Sequence, residues 1–453
     1  MPPTISQHGL KWKRELFGDI EPSWTVEPDV EALTKLVRDE LNVRDDTAYE
    51  VKFLAQGAFN KVYTIQIGNE SEIKHISRVC LPVQPCFKTM SEVATTSYIR
   101  HHTDIPAPNV WASNASNEKD LGFEWTIQDY VNGRKLDEAW KEMSWLEKEL
   151  LIWKVIHYLT QLFATRFNRL GNLYATKDLQ QLTAGELPDA KLLGSEHSTP
   201  SEGFCVSQVV SMPFFWGKRV SSDVPRGPFS NSRDWFATQI QLALIDLDVE
   251  YDDSDSDSDS DDEHPMHSRE AVTHRANRIL ALLPTIFPEN EPEQFVLHHN
   301  DLNANNILVD SNSSISGIID WELVHTVPLS IACQMPKFLE AEMDRHKCPS
   351  PDDYGKDTDD NGNTVHNEMY FRHLDEHEKT RLWAFFREEM GRGKLQAGLE
   401  DVVTLFGHPW HAGVIDQWLD KVEKDGFSEN LQDLARARQR WFDAGCPEED
   451  ENN

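Results

Sequence analysis

The sequence predicts an α+β chain in which a small antiparallel sheet with one inserted helix precedes a larger, mainly helical part. Two observations lead there. Between residues 49 and 131, short alternating runs are broken by Gly, Asn or Pro: "YEVKFLAQG", "NKVYTIQIGN", "HISRVCLP", "IPAPNVWAS" and "FEWTIQDYV". Such runs read as antiparallel strands. "KTMSEVATTSYIRHH" interrupts them with Met90, Val93, Ala94, Ser97 and Tyr98 on one helical face. After Asn132-Gly133 the period becomes helical: in "SWLEKELLIWKVIHYLTQLFATRF", Ile152, Val155, Ile156, Leu159, Leu162, Phe163 and Phe167 form the stripe of a long, buried helix.

The remaining segments frame these two parts. Val30, Leu33, Val37 and Leu41 place an amphipathic helix in an N-terminal extension, residues 1–48. Residues 49–131 make the small lobe and residues 132–445 the large one. Within the large lobe, "DLDVEYDDSDSDSDSDDE" marks residues 246–265 as an acidic insertion too poor in apolar residues to fold, and residues 446–453 form an acidic tail. "REAVTHRANRILALLPTIF" is a further helix, and "TRLWAFFREEM", "GVIDQWLDKVEKD" and "LARARQRWFDAG" extend the helical pattern towards the C-terminus.

Composition narrows the function. The 453 residues are 39% hydrophobic and include 14 Trp, enough for a large core. A net charge of −33 opposes binding to nucleic acid or to an anionic membrane surface, so a phosphate ligand needs a local cationic site. The six cysteines are scattered without a Cys-x-x-Cys pair, which suggests neither a zinc site nor a disulfide framework. No apolar leader or spanning segment is read, and the expectation is a cytoplasmic protein.

The chemistry concentrates in "VLHHNDLNANNILVDSNSSISGIIDWE", residues 296–322. Read as a hairpin, Val296-Leu297 and Ile307–Val309 flank an Asn-rich turn. Ile315–Ile319 adds a neighbouring strand that ends at Asp320. His299, Asp301, Asn306 and Asp320 then meet at the strand ends. Oxygen ligands of this kind suit Mg²⁺, which keeps several waters and shares its shell with substrate phosphates. A free carboxylate beside it can take up the proton of a hydroxyl nucleophile. Asn303 and Asn305 are turn formers, and Glu322 is either a water-mediated aid to the metal or a local structural contact.

His-x-Asp, an Asn five residues after the Asp, and a later strand-preceded Asp resemble the catalytic and metal loops of protein-kinase-like phosphotransferases. With Ile-Ile-Asp-Trp-Glu as the last motif, the segment resembles the aminoglycoside phosphotransferase and choline kinase branch, and its fungal group in particular. That resemblance, which also takes in "LAQGAFNKVY", "WTIQDYVNGRKL" and "FNRLGNLY", spans roughly residues 50–340. It implies a two-lobed protein-kinase-like fold and an ATP-dependent, Mg²⁺-dependent kinase acting on the hydroxyl of a small molecule.

The implied roles follow residue by residue. Asp301 aligns or accepts the hydroxyl proton while His299 braces its loop, and Asn306 and Asp320 hold the metal. Gly57, Phe59 and Asn60 form the nucleotide-binding turn, and the backbone from Gln128 to Tyr130 meets the purine. Arg78, in the position of the usual Lys, contacts phosphates and is fixed by Glu92. Trp216, Arg219 and Trp410 are candidates for the acceptor pocket, and the acidic composition favours cationic acceptors. The alternative is a pseudokinase that binds nucleotide as a scaffold. A protein kinase is disfavoured because Pro328 and a helical pattern follow Asp-Trp-Glu directly, with no Ala-Pro-Glu.

Overall fold

In this computed structural model, the alternating runs of the small lobe become β3 (Tyr49–Gln56), β4 (Asn60–Ile67), β5 (His75–Cys80), β6 (Val110–Asn114) and β7 (Glu124–Asp129), preceded by β1 (Leu10–Arg14), β2 (Ile20–Trp24) and α1 (Val30–Glu40) and interrupted by α2 (Phe87–His102). The structure describes residues 7–392 apart from 15–19, 69–72, 118–120, 184–202, 247–268, 288–292, 333–334, 359–361 and 363. The acidic insertion apart from its first residue, Trp410, the last two predicted helices and the acidic tail therefore lie outside the described residues.

Strands β3 to β7 form one antiparallel sheet in the order β3-β4-β5-β7-β6. Asp29 caps α1, its carboxylate accepting from the Glu31 and Ala32 amides at 2.8 and 3.3 Å, and this leaves the helix free to press Leu33 and Val37 onto the sheet. Both are fully buried with Val51, Tyr63, Ile65 and Ile127, whereas Val30 faces solvent.

Helix α2 departs from the one-sided face expected for it. Lys88, Thr89, Ser91, Glu92, Thr95 and Thr96 are buried along with Met90, Ala94, Tyr98 and Ile99. The helix lies between β6 and β7 on one side and a strand of the large lobe on the other, so its polar side chains need partners inside the protein. The β1–β2 hairpin was not anticipated. It sets Trp24 against Phe123 and Trp12 against Trp216, 5.2 and 5.0 Å between ring centroids.

The large lobe runs through β8 (Arg134–Lys135), α3 (Leu136–Ala139), α4 (Trp145–Ala164), β9 (Asn172–Ala175), α5 (Thr176–Thr183), β10 (Phe204–Ser207), α6 (Met212–Phe215), α7 (Ser232–Asp246) and α8 (Arg269–Ile286). It continues with β11 (Phe295–His298), β12 (Ile307–Val309), β13 (Ile315–Ile318), β14 (His325–Pro328), α9 (Leu329–Ala332), β15 (Lys356–Thr358), β16 (Thr364–His366) and α10 (Glu368–Arg392). A Ser144/Glu147 capping box starts α4, whose predicted stripe is buried from Ile152 to Phe163.

The strand pairing around the polar segment corrects one expectation. β11 and β12 are not partners: β11 pairs with β14 in the sheet β10-β9-β14-β11, and β12 lies between β13 and β8. The chain between them is therefore a crossing between two sheets, with room for loop side chains to face a common space. Gly317 in β13 packs under the interlobe linker, where a Cβ would overlap Val131.

Ile127, fully buried in β7 between β5 and β6, tests the small lobe. Ile127→Ala should lower unfolding free energy by about 2–5 kcal/mol, and Leu146→Ala, at a 63% exposed position, by no more than about 0.5 kcal/mol. Equal urea midpoints for the two variants would contradict this assignment of the core.

Candidate functional site

A cavity of about 920 Å³ lies between the lobes and is lined by Gly57, Phe59, Asn60, Arg78, Gln128, Tyr130, His299, Asp301, Asn306 and Asp320. One space thus receives residues separated by up to 263 positions. Glu92 lies behind it and reaches the cavity through Arg78.

The sharpest feature is a buried ionic network where β5, α2 and the Asp-Trp-Glu turn meet. Arg78 donates from Nη1 to Glu92 Oε1 (2.5 Å) and from Nη2 to Asp320 Oδ1 (2.7 Å) and Glu322 Oε2 (3.3 Å). Glu322 Oε2 also receives Asn60 Nδ2 at 2.7 Å and Lys88 Nζ at 2.6 Å, and Lys88 Nζ lies 3.3 Å from Asn60 Oδ1. The side chains of Arg78, Lys88, Glu92 and Glu322 are 9%, 2%, 3% and 9% exposed, so each charge relies on the others rather than on water.

Glu322 is accordingly the local structural contact, and its tie to Asn60 fixes the turn between β3 and β4 to the large lobe. Lys88 was not picked out from the sequence. Its position one turn before Glu92 was the available signal, because it puts both charges on the same face of α2.

Burial and the neighbouring Glu322 push the Asp320 carboxyl up to about 7, against the pull of Arg78, whereas burial of Glu322 is outweighed by Lys88 and Arg78 and its carboxyl is held down. Three carboxylates face two cations, and the uncompensated charge rests on Asp320, whose side chain remains 32% exposed to the cavity. A divalent cation shared with phosphate oxygens would neutralise it. Asn306 donates its amide nitrogen to Asp301 O at 2.8 Å and Asp301 Oδ2 at 3.1 Å, which leaves its oxygen as the atom able to serve a cation. No group of three or more His, Cys, Asp or Glu able to hold a metal occurs among the described residues. The donor set suits Mg²⁺, which takes few protein ligands, but not a metal needing an all-protein cage.

Asp301 is held at three points. Oδ1 accepts from Lys337 Nζ at 2.7 Å, and Oδ2 accepts from Asn303 Nδ2 at 2.9 Å as well as from Asn306. Half-burial works to raise its carboxyl, but Lys337 and Asn303 outweigh this and hold it below the ordinary range, so it is ionised at neutral pH. His299 lies under the loop: Nε2 donates to Ile319 O at 3.1 Å, Nδ1 accepts the Asp301 amide at 3.3 Å, and the ring meets Trp321 edge-on at 4.8 Å. Burial holds its imidazole neutral, which this one-donor, one-acceptor arrangement requires.

Asn172, in the "FNRLGNLY" stretch, is the second residue whose role the sequence left unread. It is fully buried, donating to Ser91 Oγ (2.9 Å) and Val324 O (3.0 Å) and accepting from the Val210 amide (2.7 Å). One amide thus ties α2, the chain after Glu322 and the approach to α6 together.

Other expected residues are placed differently. The Asp129 and Tyr130 amides donate to Asn109 O and Lys74 O at 2.9 and 2.8 Å, so these two N–H groups in the linker are already used. Val131, the next residue of the linker, also lines the cavity. Trp216 packs against Phe59 and Trp12, and buried Arg219 donates to Pro213 O at 3.2 Å; neither lines the cavity.

Comparison with known proteins fits this geometry. Residues 223–330, which contain His299, Asp301, Asn306 and Asp320, match the family model described as phosphotransferase enzyme family. Over that stretch the chain is similar to the phosphotransferase enzyme family. A subtelomeric hrmA-associated cluster protein of Aspergillus fumigatus is 25% identical over 352 residues, 69% of this chain and 66% of the relative, so the match spans just under two thirds of that protein. The mitochondrial protein named altered inheritance of mitochondria protein 9 of Meyerozyma guilliermondii is 24% identical over 40% of this chain and 30% of its own length.

Among solved phosphotransferase structures, the GDP and kanamycin complex of APH(2")-IIia is 13% identical with a TM-score of 0.42, covering 90% of this chain and 99% of that one. APH(4)-Ia is 15% identical with a TM-score of 0.41, covering 90% and 98%. No helix among the described residues is long and apolar enough to cross a membrane.

Lys88→Met removes one cation from the network and leaves Glu322 buried with Arg78 and Asn60 alone. A loss of about 3–5 kcal/mol in unfolding free energy is expected, as when one partner of a buried ion pair is removed. Wild-type stability in chemical denaturation would show that Lys88 is not part of the supporting network.

Proposed function

We propose that the chain transfers the γ-phosphate of ATP to a hydroxyl of a small molecule with Mg²⁺ as cofactor. The observation that carries this reading is the opposition, across one cavity, of an oriented, ionised Asp301 and an Arg78–Asp320 pair. The acceptor oxygen forms the new P–O bond as the bond from the γ-phosphorus to the bridging oxygen breaks. The electron pair leaves with ADP and the hydroxyl proton passes to Asp301. Asn306 and Asp320 would hold Mg²⁺, which when bound supplies charge neutralisation at the phosphates. Arg78 supplies fixed positive charge, and Glu92 holds the guanidinium in place. Positioning and electrostatics are what this reaction class asks of a protein.

Asn303 and Asn306 direct Oδ2 of Asp301, and Lys337 keeps the carboxylate ionised before the acceptor's proton is transferred. The cavity volume lies towards the upper end of the ~300–1,000 Å³ usual for ligand pockets, which fits a nucleotide with a compact acceptor better than a protein substrate.

Mg²⁺-dependent ADP formation across a library of metabolite alcohols tests the reading. Asp301→Ala should lower kcat about 10²–10⁴-fold while leaving ATP binding intact. ATP binding with no turnover on any acceptor would favour the scaffold reading instead.

Lys337→Met should move the acid limb of the kcat/KM profile to higher pH. Lys337 is what offsets the effect of burial on Asp301, and the base loses activity as pH falls through its own pKa. An unmoved limb would separate Lys337 from the reacting carboxylate.

A further inference from the structure

The cavity holds a second polar cluster that the transfer chemistry does not use. Trp235 and Gln239 lie one turn apart on α7, Ser211 precedes α6, and His298 and His325 lie at the end of β11 and the start of β14. All five line the cavity that contains Asp301. Trp235 Nε1, Gln239 Nε2, Ser211 Oγ, His298 Nδ1 and His325 Nε2 are buried and have no hydrogen-bond partner in the protein. Trp235, Gln239, Ser211 and His325 are 7%, 3%, 7% and 4% exposed. Buried polar groups are rarely left unmatched, and several around one cavity mark places where ligand atoms belong.

The cluster is continuous with the reacting carboxylate. The Trp235 and His325 rings are 6.0 Å apart, centroid to centroid, and His325 Nδ1 is 2.8 Å from the Nδ2 of Asn300, the residue before Asp301.

We propose that this cluster is the acceptor subsite and that it selects an uncharged, hydroxyl-rich molecule, a sugar or polyol, over an amine-bearing one. The proposal rests on the phosphotransferase reading and names its substrate class. An indole N–H and an amide NH₂ can only donate, and a hydroxyl can accept from them and still donate to an imidazole nitrogen or a serine oxygen. An ammonium has only donors and would meet Trp235 and Gln239 donor to donor. Burial holds His325 and His298 neutral, at about 4 and about 3, so neither presents a charge at neutral pH. Met212, Pro213, Val327 and Ile331 give the same space an apolar wall for the C–H face of a ring. The local donors thus point away from the cationic acceptor suggested by the overall charge of −33.

The test uses the full chain and matched probes: glucose against glucosamine, and myo-inositol against an amino-inositol. Binding is read by saturation-transfer NMR with Mg²⁺ and a non-hydrolysable ATP analogue, and turnover separately by ADP release. Expected is binding of glucose or myo-inositol at least ~10-fold tighter than of the amine, and a further weakening of ~10-fold in Trp235→Phe or Gln239→Met, the loss of one good hydrogen bond. ATP binding and the denaturation midpoint of those variants should stay unchanged. Equal or tighter binding of the amines overturns the proposal, as does binding of neither class or hydroxyl binding indifferent to both substitutions. Hydroxyl-selective binding without ADP release would leave the subsite standing and count against phosphoryl transfer alone.

Discussion

The site is organised by a set of buried charges that no single lobe can satisfy. Arg78 and Lys88 belong to the small lobe, Asp320 and Glu322 to the large one, and Glu92 is the small lobe's own counterion. Removing these groups from water costs several kcal/mol per ion, a cost recovered only when every partner is in place. The lobes are therefore held at the spacing that closes the network, and that spacing defines the cavity. Asn60 extends the effect to the turn between β3 and β4 and Asn172 to the approach to α6, so both ends of the cavity take their position from one buried core.

Polar residues at the crossing from β11 to β12 follow from the same logic. Because the two strands belong to different sheets, the backbone between them has no ladder to join, and its groups are matched locally. The Asn303 amide donates to Asp301 O, the Asn306 amide to Asn303 O, and the Ile319 amide to Asn306 O, at 2.8, 3.1 and 2.9 Å. The asparagines that close this turn also direct the Asp301 carboxylate. Turn formation and orientation of the carboxylate are one arrangement, which is why the segment is so rich in amides.

The order of elements in the small lobe and the polar residues of the crossing were legible in the sequence. Strand alternation and residues such as His299, Asp301, Asn306 and Asp320 depend on short spacings and on side-chain chemistry. What failed to show were relations between distant residues. Lys88 looks like an ordinary helical lysine until Glu322, 234 positions later, is seen beside it. The partner of β11 is β14 rather than the nearer β12, because pairing is decided by which sheet covers the core, and no local pattern encodes that. Trp216 was a candidate for the acceptor pocket, with a place in the core the commoner role for a buried Trp, whereas Trp235 carries the unpartnered indole nitrogen. Nothing in either tryptophan's neighbouring sequence distinguishes the two.

Asp-Trp-Glu shows how local strain serves the network. Asp320 and Leu323 have φ of 66° and 60°, in the left-handed region that costs a non-glycine residue roughly 1–2 kcal/mol. Between them Trp321 is 2% exposed, its indole N–H donating to Ile318 O at 2.8 Å, and it serves as the anchor of the turn. With the tryptophan fixed inward, the unusual backbone at Asp320 lets that carboxylate face the cavity while Glu322, two residues on, turns back to Asn60, Lys88 and Arg78. Glu322 becomes the buried counterion of Lys88, while Asp320, which shares Arg78 with it, keeps part of its carboxylate open to the cavity.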